Sequence, residues 1–344
     1  MSAGGGTMKA IVQDVYGGPE VLHFATVPRP APGPRDLVVQ VRAVSVNPVD
    51  TKVRGGRGAA PGTPVPNPPL IVGWDGAGVV AAVGPEVRGF YEGDAVYFAG
   101  DVTRAGSYAE YVAVDERIVG RKPTALGFED AAAMPLTALT AWEGLIEAMG
   151  ANAAHDHPAP GVLIVGGAGG VGSIATQIAR RVCNLRVVAT ASREESAEFC
   201  RRMGADAVID HRRELAPQLR EHDLEGVEYV LSTAPLGNFA QLVACLKPLG
   251  KICVILAGKE AEALDVSGLF QIRGSLSFEY MFARPMHGVA PERQGQILNR
   301  VSELLDQGVL VTTRTEVRSW QQAGEAHRAL EAGRSVGKIV LRLD

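Results

Sequence analysis

Gly167, Gly169 and Gly172 stand in the stretch VLIVGGAGGVGS, residues 162–173, at the spacing G-x-G-x-x-G. The pattern alone says little: with 41 glycines among 344 residues it arises by chance about 0.6 times. Its neighbours give it chemistry. The apolar run 162–165 reads as a buried parallel strand, 171–182 as a helix starting at once after the glycines, and 186–189 as the next strand of a βαβ unit. In that setting Gly167 permits a tight turn, Gly169 lets the backbone approach a pyrophosphate, and Gly172 lets helix and strand pack closely. Gly170 and Val171 add free N–H groups at the helix N-terminus, where a phosphate sits. The stretch predicts a dinucleotide site; a purely structural glycine turn is the alternative.

The end of the second strand bears on which dinucleotide. An NAD site places Asp or Glu about 20 residues beyond the glycines, on the ribose hydroxyls. Here the chain reads Thr190-Ala191-Ser192-Arg193, with no acid before Glu194. A hydroxyl followed by a guanidinium suits the 2′-phosphate of NADPH (NADP+), because Arg pairs with phosphate oxygens as a fork. Ser192-Arg-Glu-Glu is also a capping box, so Ser192 would cap the next helix while Arg193 is solvated; the two readings are compatible. Ser232 ends the fourth strand, at the carboxyl edge of the sheet where a cofactor lies.

These residues need a scaffold, and the pattern supplies one. From Leu126 the period is helical, and strands and helices then alternate at 162–165, 171–182, 186–190, 194–203, 207–209, 227–231, 236–246 and 251–256, with a last strand near 275–279. That alternation predicts a doubly wound parallel sheet. Residues 8 to about 125 instead carry short strands broken by Gly and Pro, which read as a barrel-like β domain. Arg57–Pro69 holds five prolines and reads as a stiff loop. An amphipathic helix with Ile297, Leu298, Val301, Leu304 and Leu305 on one face stops at Gly308, and a helix near Trp320–Ala332 precedes a final strand from Lys338. That strand returns the chain to the β domain, giving an α/β fold of two domains: 1–130 with 285–344, and 131–284.

Bulk composition excludes several classes. Lys plus Arg is 34 and Asp plus Glu 38, a net charge of −4, with no basic excess to hold nucleic acid. No apolar run is long enough to span a membrane. The first seven residues lack both parts of a signal peptide and read as a flexible leader, which predicts a cytoplasmic protein. Cys183, Cys200, Cys245 and Cys253 lack C-x-x-C spacing and read as reduced, packed thiols. His155-Asp156-His157 has the look of a metal pair but lies in a Pro-flanked loop with no third ligand near it.

The order of domains, with Val46-Asn-Pro-Val-Asp50, Gly73-Trp-Asp-Gly-Ala-Gly78, Glu92-Gly-Asp-Ala-Val96, Pro135-Leu-Thr-Ala-Leu-Thr-Ala-Trp142 and the glycine loop, resembles the medium-chain dehydrogenase/reductase superfamily over nearly the whole chain. Within it the chain is similar to the zinc-free quinone oxidoreductase branch, zeta-crystallin-like, and to the group of zinc-type alcohol dehydrogenase-like proteins. The resemblance implies a GroES-like catalytic domain beside a Rossmann NADP(H) domain, and a homodimer formed through the edge strand of the nucleotide sheet. It also implies three zinc-ligand positions, and here they carry Asn47, Trp74 and Leu136. Asn is a poor zinc donor and Trp and Leu are none, so no catalytic metal is expected.

Without a Lewis acid an alkoxide loses its stabiliser. Acceptors that delocalise the incoming charge, a quinone or an α,β-unsaturated carbonyl, need only hydrogen-bond donors. The expected activity is therefore NADPH-dependent reduction of such a small molecule. A zinc alcohol dehydrogenase and a non-enzymatic NADPH-binding protein, like relatives recruited as lens or RNA-binding proteins, are the alternatives. Asn47 either turns its amide toward nicotinamide and substrate or orders the turn before Pro48. Asp50 braces that loop, with general-base work as the lesser reading; Lys52 and Arg54 read as solvated charge, with a supply of positive charge or a proton relay as the lesser reading. By resemblance Thr140 neighbours the nicotinamide and His211 the adenosine phosphate, at a position often Tyr in relatives. Tyr280-Met-Phe282 reads equally as a cleft wall or as core.

Overall fold

The ten-residue strand Asp36–Ser45, DLVVQVRAVS, buries most of its side chains and is the spine of a seven-stranded sheet. It pairs antiparallel with Gly76–Val83 along one edge; along the other it meets Tyr111–Asp115 over its first half and Lys338–Arg342 near its end. The register of that last pair, Val340 opposite Ser45, sets Lys338 beside Val46 and Asn47. In this computed structural model residues 6–67, 69–154 and 159–343 are described; His155-Asp156-His157 and the first five residues fall outside them. The chain forms two units, one running to Leu136 and resuming at Phe282, the other spanning Thr137–Met281.

In the second unit six parallel strands lie in the order Ala207–Ile209, Arg186–Thr190, Gly161–Val165, Val227–Ser232, Leu246–Val254, Ser275–Phe278. Val162–Val165 is buried on both faces, as a central parallel strand with helices over it must be. The doubly wound sheet is thus observed, with its first strand in the middle.

Three elements depart from the sequence reading. Pro48–Arg54 is an α-helix, where a turn and loop were expected. Leu215–Arg220 is a short helix with Pro217 in its first turn, a position proline tolerates. Arg314–Ser319 is an edge strand parallel to Lys338–Arg342; its alternation of Arg, Glu and Arg with Thr, Val and Ser hides it among surface-like residues. The proline-rich loop is pinned to residues 13–16 by backbone bonds such as Val65 N–H to Asp14 O and Tyr16 N–H to Thr63 O.

Candidate functional site

Two constellations carry chemistry, one in each unit. In the first unit Asn47 is the N-cap of Pro48–Arg54, with Pro48 just inside the helix start. Asp50, in the first turn, accepts the Asn47 backbone N–H at 2.7 Å. Asn47 Nδ2 donates to Asp75 Oδ2 at 2.7 Å and to the Ser45 carbonyl at 3.4 Å, and its oxygen accepts from Lys338 Nζ. The amide is therefore committed inside this unit. These bonds order the chain before Pro48.

Asp75 is the hub. Buried completely, it accepts from Ser45 Oγ at 2.6 Å, Asn47 Nδ2, Lys338 Nζ at 3.3 Å and the Leu136 N–H at 2.8 Å. Two of the three positions matched to zinc ligands, Asn47 and Leu136, are thus bonded to one carboxylate. The third, Trp74, precedes Asp75, donates its indole N–H to the Asp101 carbonyl and meets Phe282 edge-on at 6.4 Å. This donor set does not fit a zinc ion: an engaged amide, an indole and an isobutyl group offer no ligand. Among the described residues no group of three His, Cys, Asp or Glu side chains could hold a metal.

A second line of bonds reaches Asp50 from the other side. Arg54 is 3% exposed, not the solvated cation expected, while Lys52 is exposed. Arg54 bonds His327 Nδ1 at 2.9 Å and pairs with Glu331 at 2.5 Å. Arginine can only donate, so Nδ1 accepts and the imidazole proton sits on Nε2. Nε2 faces Tyr108 Oη at 3.1 Å, which directs the tyrosine hydroxyl toward Asp50 Oδ2 at 3.4 Å. Burial, and then the charge of Arg54, holds His327 down at about 3, so the ring is neutral. Burial pushes Asp50 up to about 7, against the Asn47 N–H and Lys338, and Asp50 Oδ1 has no hydrogen-bond partner among the described residues.

In the second unit the glycine loop has the form a pyrophosphate needs, with one reassignment. The tight turn with positive φ, 77°, falls at Gly166 and not at Gly167. Gly167 is required by proximity, since a Cβ there would lie 2.6 Å from Ala189 Cβ. A Cβ at Gly172 would lie 2.2 Å from the Gly166 carbonyl oxygen. Gly169 is the N-cap of the helix Gly170–Gln177, which runs on through Val182, and the N–H groups of Gly170, Val171 and Gly172 form its first turn, where backbone donors lack helical partners. These residues fit a dinucleotide phosphate.

Ser192 does not cap the following helix: Glu194–Met203 has Arg193 as N-cap, with no side-chain cap. Ser192 and Arg193 instead line a hollow of about 280 Å³ with Arg201, Asp210, Arg213 and His222. The acids about it are engaged, Glu194 with Arg201 at 2.9 Å, Asp210 with Arg212 at 2.7 Å and Glu221 with Arg213 at 3.5 Å. His211 is exposed in the turn beyond Asp210. Ser232 is fully buried and donates to the Ala234 carbonyl at 3.3 Å, which turns its hydroxyl back into the chain. Thr140 is buried on the helix Pro135–Trp142 and belongs to this unit from residue 137 onward, whereas Asn47 and Asp50 belong to the other. Met281 and Phe282 are buried and Tyr280 is exposed. All four cysteines are buried free thiols, pushed up to about 11 or 12 by burial.

Lys338, His327 and Tyr108 went unnoticed in the sequence. Lysine placed just before the apolar run Ile339-Val-Leu341 and histidine inside the amphipathic helix Ala323–Glu331 were the available signals.

Comparison with known proteins places these features. The alcohol dehydrogenase GroES-like domain matches residues 33–124, and the zinc-binding dehydrogenase domain matches 203–341. A zinc-type alcohol dehydrogenase-like protein of Staphylococcus epidermidis is 36% identical over 91% of this chain and 92% of its own. A 2-methylene-furan-3-one reductase of Solanum lycopersicum is 32% identical over 97% of this chain and 79% of its own. Among solved structures, the quinone oxidoreductase of Coxiella burnetii superposes with TM-score 0.81 at 26% identity, covering 98% of this chain and 100% of the other. A mycobacterial protein complexed with NADPH gives 0.79 at 28%, covering 97% and 99%.

Proposed function

Because the chain belongs to the medium-chain dehydrogenase/reductase superfamily, in its quinone oxidoreductase branch, we propose that this oxidoreductase is a zinc-independent, NADPH-dependent reductase of a quinone or an α,β-unsaturated carbonyl. The observation that carries the proposal is the commitment of Asp75 to Asn47 and Leu136: the positions a catalytic zinc would need are closed by internal bonds. With no Lewis acid to hold an alkoxide, conjugated acceptors are the substrates whose reduced anions are stable enough to form. The tomato relative is named for such an acceptor.

The reduced nicotinamide supplies the hydride when bound. Gly167, Gly169, Gly170, Val171 and Gly172 hold the pyrophosphate on backbone N–H groups, and Ser192 and Arg193 receive the 2′-phosphate, supported by the two further arginines of their hollow. Thr140 beside the nicotinamide and His211 near the adenosine belong to the same proposal. So do a cytoplasmic location and a homodimer, the latter supported by Leu249, Phe270 and Phe278, exposed at or near the edge strand Ser275–Phe278.

The test is NADPH oxidation by chelator-treated protein with a small ortho-quinone and with an enone, run beside NADH. Turnover with NADPH that exceeds turnover with NADH and ignores the chelator is expected. Activity lost with the chelator would overturn the zinc-free reading, and tight NADPH binding without oxidation by any acceptor would overturn the enzymatic one.

A further inference from the structure

Strand Lys338–Arg342 brings into the first unit a cation that no motif of the chain announces. Lys338 is 3% exposed, and the three N–H groups of its ammonium meet three oxygens: the Val46 carbonyl at 3.0 Å, Asn47 Oδ1 at 2.5 Å and Asp75 Oδ2 at 3.3 Å. An ammonium has three donors and no acceptor, so nothing is left over for solvent. Asp75 collects only donors from its other partners, Ser45 Oγ, Asn47 Nδ2 and the Leu136 N–H, which favours its ionised form. The Asn47 amide has one orientation in this setting. Flipped, it would turn its NH2 against the ammonium and its oxygen against the carboxylate.

We propose that Lys338 is a positioning residue that replaces a metal ion: its ammonium gathers Val46, Asn47 and Asp75 about one positive centre and so fixes the turn that presents Asn47 and Asp50. The cage lies within one unit and stands on geometry. Its bearing on catalysis rests on the reductase reading above. Burial lowers the Lys338 ammonium and raises the Asp75 carboxyl, and each opposes the shift of the other, so removing either strands its partner in the interior.

The test uses the full-length protein with Lys338→Met, Asp75→Asn and the double substitution, together with Lys338→Arg, which keeps the charge. Melting temperatures close a double-mutant cycle. If the cage holds, the double variant loses less than the sum of the two single losses, because neither partner is left unpaired. Additive losses overturn the cage.

In the quinone assay Lys338→Met is expected to lower kcat by roughly 10–100-fold, the order of loss that a shift of about 1 Å in a positioning element produces. The affinity for NADPH should stay within about threefold, because the glycine loop that holds it belongs to the other unit. Lys338→Arg is expected to recover the melting temperature but not kcat, since a planar fork does not match three oxygens converging on one point. A kcat unchanged in Lys338→Met overturns the positioning role even where the cycle shows the cage. Should the parent protein oxidise no NADPH with any acceptor, the reductase reading fails and takes the positioning role with it, while the melting cycle still decides the cage.

Discussion

Replacing Asp50 by Asn tests whether this carboxyl is protonated inside the protein. Burial lifts it from 3.8 to about 7, so between those values the folded protein holds a proton that the unfolded chain has released. Stability then falls as pH rises, by about 1.4 kcal/mol per pH unit, and the loss is complete above the folded value. Across the interval from the unfolded value to the folded one, about 4 kcal/mol is lost between roughly pH 4 and pH 7. Asn carries no such dependence. It keeps the acceptor for the Asn47 N–H and Tyr108 hydroxyl, but puts an NH2 where Asp50 Oδ1 finds no partner. That costs about 1–3 kcal/mol at every pH. The difference between variant and parent therefore moves in one direction: the variant gains about 2.6 kcal/mol on the parent between pH 5 and pH 8, and melts higher than the parent at pH 8. For a unit of about 200 residues the swing is on the order of 10 °C. Thermal unfolding of both proteins from pH 5 to 8.5 measures it. The same gap at both ends would mean that Asp50 titrates as an ordinary carboxylate and that the protonated reading is mistaken.

Three further substitutions probe the rest of the molecule. Gly172→Ala puts a Cβ at 2.2 Å from the Gly166 carbonyl oxygen and 2.7 Å from Gly167 Cα; overpacking of this kind costs about 1–3 kcal/mol, so where the loop shifts to relieve it the NADPH dissociation constant should rise roughly 5–100-fold in a fluorescence titration, and an unchanged constant would show that the loop does not hold the cofactor. Arg193→Ala removes a charged partner of the 2′-phosphate, worth about 1.5–3 kcal/mol; NADPH should bind roughly 10–100-fold more weakly with NADH unaffected, whereas equal weakening of both would assign Arg193 to the helix start alone. Arg54→Met leaves the His327 Nδ1 and Glu331 without their donor, and because Glu331 is 39% exposed the cost is set below that of a fully buried broken pair, at about 2 kcal/mol. Denaturation would read that loss, and a variant as stable as the parent would return Arg54 to the surface role its sequence suggested.

Much of the second unit was legible because its signals are local. A strand of four apolar residues, a glycine turn and a helix follow one another within residues 161–182, and each strand of the sheet lies within a few residues of its expected place. The helix Pro48–Arg54 was also written locally, as Asn-Pro-Val-Asp, which is an N-cap, a proline just inside and an acid in the first turn. It was missed because seven residues give too little period to read. In the first unit Asn47 and Asp50 were legible through the resemblance, but the partners that hold them were not, and the reason is distance along the chain. Lys338 reaches Asn47 across 291 residues, and Arg54 reaches His327 across 273. Only the register of Lys338–Arg342 against Asp36–Ser45 brings the first pair together. Nothing in the composition near either residue reveals it.

The charges of the first unit explain why Asp50, and not Asp75, is the carboxyl free to hold a proton. Lys338 and Asp75 are joined directly and both are buried, and Arg54 has Glu331. Each cation is therefore matched by one acid. Asp50 is the acid left over: among the described residues no cation bonds it, and its two donors are a backbone N–H and a tyrosine hydroxyl. A buried charge without a partner is the state the interior tolerates least, and the Asp75 carboxylate close by adds repulsion. Protonation of Asp50 makes the cluster neutral at the least cost, because its other oxygen has no bond to lose. The same charge balance disfavours a metal here. A divalent ion would enter a cluster whose hub, Asp75, is already bonded to an ammonium, and it would have to displace Lys338 to reach the Asp75 and Asn47 oxygens, since only Asp50 Oδ1 there is unbonded among the described residues.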